Sequence, residues 1–123
     1  MNERQELLEA IKLLEATFRK SASLGDENFK EHRKEAVQLR REIAAQLANI
    51  SKLGTTVFEG KSTAETFRSQ FASMRATMAM HHASWPIIAI DLENPEYRAS
   101  ATTLRESNGK FIAWVRMALQ SAR

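Results

Sequence analysis

The sequence predicts an all-α fold: a single-domain, antiparallel up-down-up-down four-helix bundle over residues 1–123, its third helix broken or kinked at Pro86. Three observations carry this prediction. Apolar residues recur at steps of three or four, or sums of these, in four segments: Leu7, Ile11, Leu14, Phe18; Ala36, Ile43, Leu47, Ile50; Phe67, Phe71, Met74, Met78, Trp85; and Leu104, Phe111, Val115, Ala118. A period near 3.6 makes one face of each segment apolar. The connections between them are short, which sets neighbouring helices antiparallel. The one apolar run that reads as a strand, residues 87–90, has no strand-like partner.

The first helix is predicted over residues 3–22. Gly25 can close it in the left-handed conformation, and Asp26 can cap the next helix. The second is predicted over residues 27–53, charged at its start and alanine-rich at its end, with Gly54 as the stop. Residues 55–61 connect. Ser62-Thr63-Ala64-Glu65 reads as a capping box, in which hydroxyl and carboxylate each satisfy an open N–H of the first turn. The third helix follows from residue 63 to 84 or 85. Pro86 lacks an amide hydrogen and disfavours helical geometry at Trp85. Residues 87–90 read as a helical turn beyond that break.

Asn94-Pro95 opens the fourth helix, with asparagine as cap and proline at the first helical position; it is predicted over residues 95–120. Asn108-Gly109 lies inside it. Glycine costs about 1 kcal/mol relative to alanine in a helix interior, yet Leu104, Phe111, Val115 and Ala118 stay in phase across it. One helix is therefore expected, with Gly109 offering a site of close helix approach. The predicted core combines Leu7, Ile11, Leu14, Phe18, Ile43, Leu47, Ile50, Phe67, Phe71, Met74, Met78, Leu104, Phe111 and Val115.

A chain of 123 residues can bury a core without covalent staples. It has no cysteine, which removes disulfides, zinc–thiolate sites and cysteine nucleophiles. No apolar run approaches the roughly 20 residues that span a bilayer. The N-terminal residues carry both signs and lack a signal-peptide pattern. The expectation is a soluble cytoplasmic protein that does not enter membranes. The net charge of +3 arises from 18 basic and 15 acidic residues that are interspersed. A nucleic-acid binder concentrates positive charge in a stripe; here Glu31, Glu35 and Glu42 dilute the densest basic stretch, which argues against nucleic acid. Arg33, Lys34, Arg40 and Arg41 read as a solvated face, with a basic partner surface as the alternative.

Phosphate-loop, nucleophile-elbow, dinucleotide and metalloprotease motifs are all missing. The expectation is a non-enzymatic binding or regulatory protein, adaptor-like and without a cofactor, that acts through protein–protein contacts. It resembles bacterial adaptor and export-chaperone proteins in general type. Trp85, Ile87, Ile88 and Ile90 form the candidate docking segment, which serves either as a lid over one bundle end or as an exposed patch; the lid is favoured, because monomers seldom leave such patches wet. A bundle this short can also form a homodimer through leftover apolar surface. Met74, Met78 and Met80 read as core, with a ligand pocket beside Trp85 and Trp114 as the alternative.

The second functional reading centres on the histidines. Counted from the turn between the second and third helices, His32 and His81 lie roughly 33 and 30 Å away at about 1.5 Å per residue. His32, His81 and His82, with Glu96 or Asp91, are thus candidate ligands for a divalent metal. In size and helix count the chain resembles a haemerythrin-like bundle, although such proteins use more than three histidines. In length and four-helix form it is also similar to histidine phosphotransfer domains. That resemblance makes His32 the phosphoacceptor candidate, with Arg33 and Lys34 to neutralise a phosphate; the glycine usual one turn on is missing.

Overall fold

The computed structural model describes residues 2–24 and 29–121. They form α1 (Glu3–Ser23), α2 (Arg33–Val57), α3 (Ala64–Ser84) and α4 (Pro95–Ser121), with 3-10 turns at Phe29–His32 and Ile87–Ala89. There is no strand among the described residues. The fold is the all-α four-helix bundle that the stripes predict. The roles expected of Gly25 and Asp26 lie outside the described residues.

Local chemistry sets the helix ends. Asn2 caps α1: its Oδ1 accepts from the Gln5 amide at 2.8 Å, and Gln5 Oε1 accepts in return from the Asn2 amide. This reciprocal box was not foreseen. The box expected at Ser62 does not form; Thr63 stands at the cap position of α3 without a side-chain bond. Asn94 Oδ1 accepts from the Glu96 amide at 2.8 Å and opens α4. α3 ends at Ser84, ahead of Pro86.

The limits of α2 differ from expectation at both ends. Its first residues coil more tightly, as a 3-10 turn that seats Phe29 against Leu24, Ala36 and Leu39. At its other end Gly54 is not the stop. The helix runs on to Val57, which carries Val57 and Phe58 into the core. Gly54 is small for a packing reason: a Cβ there would lie 2.0 Å from Cζ of Phe67. The backbone turns six residues later at Gly60, whose φ of 73° is the left-handed region that glycine occupies without cost. The close approach expected at Gly109 is likewise misplaced, since a Cβ there meets nothing within 4 Å.

The stripes meet in one main core of 17 buried residues among those described, with Phe18 and Leu104 half-buried at its edge. α1 packs closely along α2, and α3 along α4; contacts between these two pairs are sparser. One end of the core is aromatic, with Phe67 between Phe58, Phe71, Phe111 and Trp114 at ring distances of 5.3–6.3 Å. Between α3 and α4 the partners are Phe67 with Trp114, Phe71 with Phe111, His81 with Ser100, and Trp85 with Tyr97. As the chain advances along one helix it recedes along the other, which places His81, Trp85 and the start of α4 at the end away from the aromatic cluster. A second, smaller core lies at that end, where Ile87, Ile90 and Leu92 pack on Leu24, Phe29, Ala36 and Leu39.

Polar links also tie α1 to its neighbours. Gln46 donates to Thr17 Oγ1 at 2.9 Å, joining α2 to α1. Glu15 accepts both terminal guanidinium nitrogens of Arg116 at 2.7 and 3.1 Å, joining α1 to α4. No helix among the described residues is long and apolar enough to cross a membrane.

Candidate functional site

At the end carrying the two 3-10 turns, the helices leave a cleft of about 510 Å³ that opens to solvent. Each helix contributes to it: residues 18–22 of α1, 36–43 of α2, 78–82 of α3 and 97–108 of α4. Its walls are mainly apolar, formed by Phe18, Phe29, Ile43, Met78, Ile87 and Ile90 among others. This combines a volume within the usual small-molecule range of about 300–1,000 Å³ with apolar walls and a few convergent polar groups.

The charged groups in the cleft share one sign. Arg19, Arg40, Arg98 and Arg105 line it, and no carboxylate does among the described residues. Arg19 is engaged by Glu15 at 3.2 Å. Among the described residues the others bond only to neutral acceptors: Arg40 to the Trp85 carbonyl at 2.9 Å, Arg98 to the Glu93 carbonyl and Arg105 to Thr102. None of these three joins an ion pair among the described residues. Arg40 is partly buried, which lowers its pKa from the ordinary value by desolvation.

Four rings stand beside Arg40. His82, His81, Tyr97 and Trp85 follow one another with centroids 5.3–5.9 Å apart. His81 is 6% exposed and shares a 2.7 Å hydrogen bond between its Nδ1 and Ser100 Oγ. Burial pulls His81 below its ordinary range, and the Arg40 charge adds to the effect. His82 is pushed down to about 4, chiefly by burial, then by Arg40 and His81. Both imidazoles are therefore neutral at pH 7. Burial pushes the Tyr97 hydroxyl up, against the opposing fields of Arg40 and Arg105.

Asn108 is the least satisfied group in this region. It is 7% exposed, lines the cleft, and its Oδ1 has no hydrogen-bond partner. An unpaired buried polar atom costs about 1–3 kcal/mol; Arg33 Nε and Gln46 Oε1, outside the cleft lining, are unpaired as well among the described residues.

The structure divides the residues singled out in the sequence. His81 and His82 stand together at the cleft. His32 ends the 3-10 turn before α2, with its Nδ1 3.7 Å from Glu35 Oε2, and Glu96 is exposed on the first turn of α4. No group of three or more His, Asp or Glu side chains suited to a metal occurs among the described residues; His32, His81, His82 and Glu96 are not gathered into one ligand set. In segment 85–90, Ile87 and Ile90 pack inward on the second core, Trp85 lies edge-on to Tyr97, and Ile88 is 78% exposed. Met74 and Met78 are buried, whereas Met80 is 72% exposed. Of the basic face expected on α2, Arg40 turns inward.

Arg98, Arg105, Tyr97 and Asn108 were not foreseen as site residues. For Asn108 and Arg40 a signal exists: Asn108 falls four after Leu104 and three before Phe111, and Arg40 four after Ala36 and three before Ile43. Both are polar residues in phase with an apolar stripe. Comparison with protein-family models, with curated proteins and with solved structures yields no match.

Proposed function

We propose that this protein is a non-enzymatic binding protein whose working site is the cleft at the 3-10 end of the bundle. The observation that carries this reading is the buried Asn108, its Oδ1 without a partner among the described residues, on the wall of a roomy, mainly apolar cleft. Docking of another protein on segment 85–90, the alternative that its apolar run suggests, has less support: Ile87 and Ile90 are used internally, which leaves Ile88 as the one strongly exposed isoleucine there. Regulation would follow if occupancy of the cleft altered how the two helix pairs sit together, because the cleft takes residues from both pairs.

The test uses the neutral dye N-phenyl-1-naphthylamine, which fluoresces in apolar surroundings. Saturable binding at one dye per chain is expected. Ala101→Trp, which places an indole in the cleft, should abolish it; Ala113→Trp, at an exposed position of α4 outside the cleft, should not. No saturable binding, or equal binding by both variants, would sink the reading.

A further inference from the structure

We propose that the cleft takes an amphiphilic oxyanion: a carboxylate or phosphate head held by Arg40 and Arg105 beside Tyr97, with an apolar body lying along Phe29, Ile43, Ile87 and Ile90. This rests on the cleft being the binding site and names the chemistry of what enters it.

The charge pattern is the first argument. Three arginines that face the cleft lack carboxylate partners among the described residues. Arginines without a carboxylate partner also occur away from the cleft among the described residues, as at Arg41 and Arg75; what sets these three apart is that they line one apolar cleft together. A guanidinium presents its donors as a planar fork that matches carboxylate and phosphate oxygens. Arg40 spends one terminal nitrogen on the Trp85 carbonyl, which fixes the group in place. The unpaired charges of Arg40, Arg98 and Arg105 disfavour a cationic ligand.

Shape and polarity supply the second argument. Along α4 the lining runs from Tyr97 to Asn108, roughly 16 Å at about 1.5 Å per residue. The opposing walls are the aliphatic and aromatic side chains of the two cores. An inorganic ion would leave that length empty, and a purely apolar molecule would leave the arginines and the Asn108 amide unanswered. Asn108 lies at the far end of this run from Tyr97 and can present either its oxygen or its NH₂ group to a polar atom in the ligand body.

The test compares three probes with one body, octanoate, octyl phosphate and octan-1-ol, each below its micelle concentration, by displacement of N-phenyl-1-naphthylamine and by calorimetry. Charge-assisted hydrogen bonds are roughly twice as strong as neutral ones, so at least one anion should bind about tenfold or more tightly than the alcohol. The better anion identifies the head group as carboxylate or phosphate. Arg40→Gln and Arg105→Gln should each cut the affinity for that anion severalfold and leave octan-1-ol unchanged. Arg105 bonds only to Thr102 on its own helix, so its variant keeps the fold even if Arg40→Gln does not. Equal displacement by all three probes, or anion binding indifferent to Arg105→Gln, would overturn the inference while the dye result stands. Failure of the dye itself would instead remove the cleft.

Discussion

Gly54→Ala and Gly109→Ala are the same substitution in two helices, and the structure gives them opposite signs. An ideal Cβ at Gly54 would lie 2.0, 2.4 and 2.6 Å from Cζ, Cε2 and Cε1 of Phe67. Carbon atoms prefer about 3.5–4.0 Å, so the ring tip would have to retreat by about 1.5 Å. It has nowhere to go cheaply, because Phe67 is 2% exposed and hemmed in by Phe58, Phe71, Phe111 and Trp114. Overpacking costs about 1–3 kcal/mol, and three ring atoms in collision place this case at the upper end. Helix propensity returns about 1 kcal/mol, and a net loss of about 2 kcal/mol remains. Gly109 keeps only the favourable part, so Gly109→Ala should gain up to about 1 kcal/mol. For a chain of this size, about 4 °C per kcal/mol converts these into a Tm lowered by about 8 °C and one raised by up to about 4 °C. Urea and thermal unfolding followed by far-ultraviolet circular dichroism would measure both. Phe67→Leu, which removes the colliding ring atoms, should make Gly54→Ala tolerable in the double variant. A Gly54→Ala protein as stable as the parent, or a double variant in which the two losses simply add, would refute the packing argument.

The other predictions concern polar groups. His82 falls from its ordinary 6.5 to about 4 on folding, so the unfolded chain binds its proton more readily. The stability it contributes is complete above pH 6.5 and is lost as pH falls toward 4, by about 3 kcal/mol in all at about 1.4 kcal/mol per pH unit; His82→Gln should flatten this slope in urea titrations at stepped pH. Asn108→Leu removes an unpaired buried amide oxygen while keeping the branched four-atom outline of the side chain, and should raise stability by about 1–2 kcal/mol, read as a higher urea midpoint at unchanged slope. A double-mutant cycle of Glu15→Gln and Arg116→Gln should give a coupling of about 0.5–1 kcal/mol, the range of a well-formed but partly exposed pair. Asn2→Ala should cost about 1 kcal/mol through loss of the α1 cap.

The architecture was legible because periodicity is a collective signal. Twelve of the fourteen residues expected in the core are buried, and Phe18 and Leu104 flank them. What failed was the meaning of single small residues and of local caps. Gly54 looks like a stop because glycine commonly ends helices; only the tertiary approach of Phe67 explains why it lies inside one. The Ser62 box was outcompeted by a chain path that puts Thr63 at the cap, while Asn2 capped α1 with a glutamine that drew no notice. Phe58, 1% exposed, sat in what read as a connection, because the end of α2 was placed four residues early.

The site was less legible for a different reason: its members come from four helices, and no two of the residues that carry its charge form a motif. The sequence points to the histidines through their shared level in the bundle, and to segment 85–90 through its apolar run beside Pro86. The better signal is a polar residue standing in phase with an apolar stripe. Arg40, His81 and Asn108 each occupy such a position, three residues from one stripe member and four from another. A helix that faces a core gains nothing from a charge or an amide there, because burial without a partner costs more than leucine would. Thr17 illustrates the structural solution to this problem: it is three residues after Leu14, and it is satisfied by Gln46 and the Leu13 carbonyl. His81 is likewise satisfied by Ser100, and Arg40 in part by Trp85. Among the described residues Asn108 Oδ1 is not, and Arg40 keeps donors free of any carboxylate. Within a set of stripe-phase polar residues, those that the fold satisfies are structural, and those that it leaves open in a cleft large enough to admit a molecule are the ones on which the proposed binding function rests.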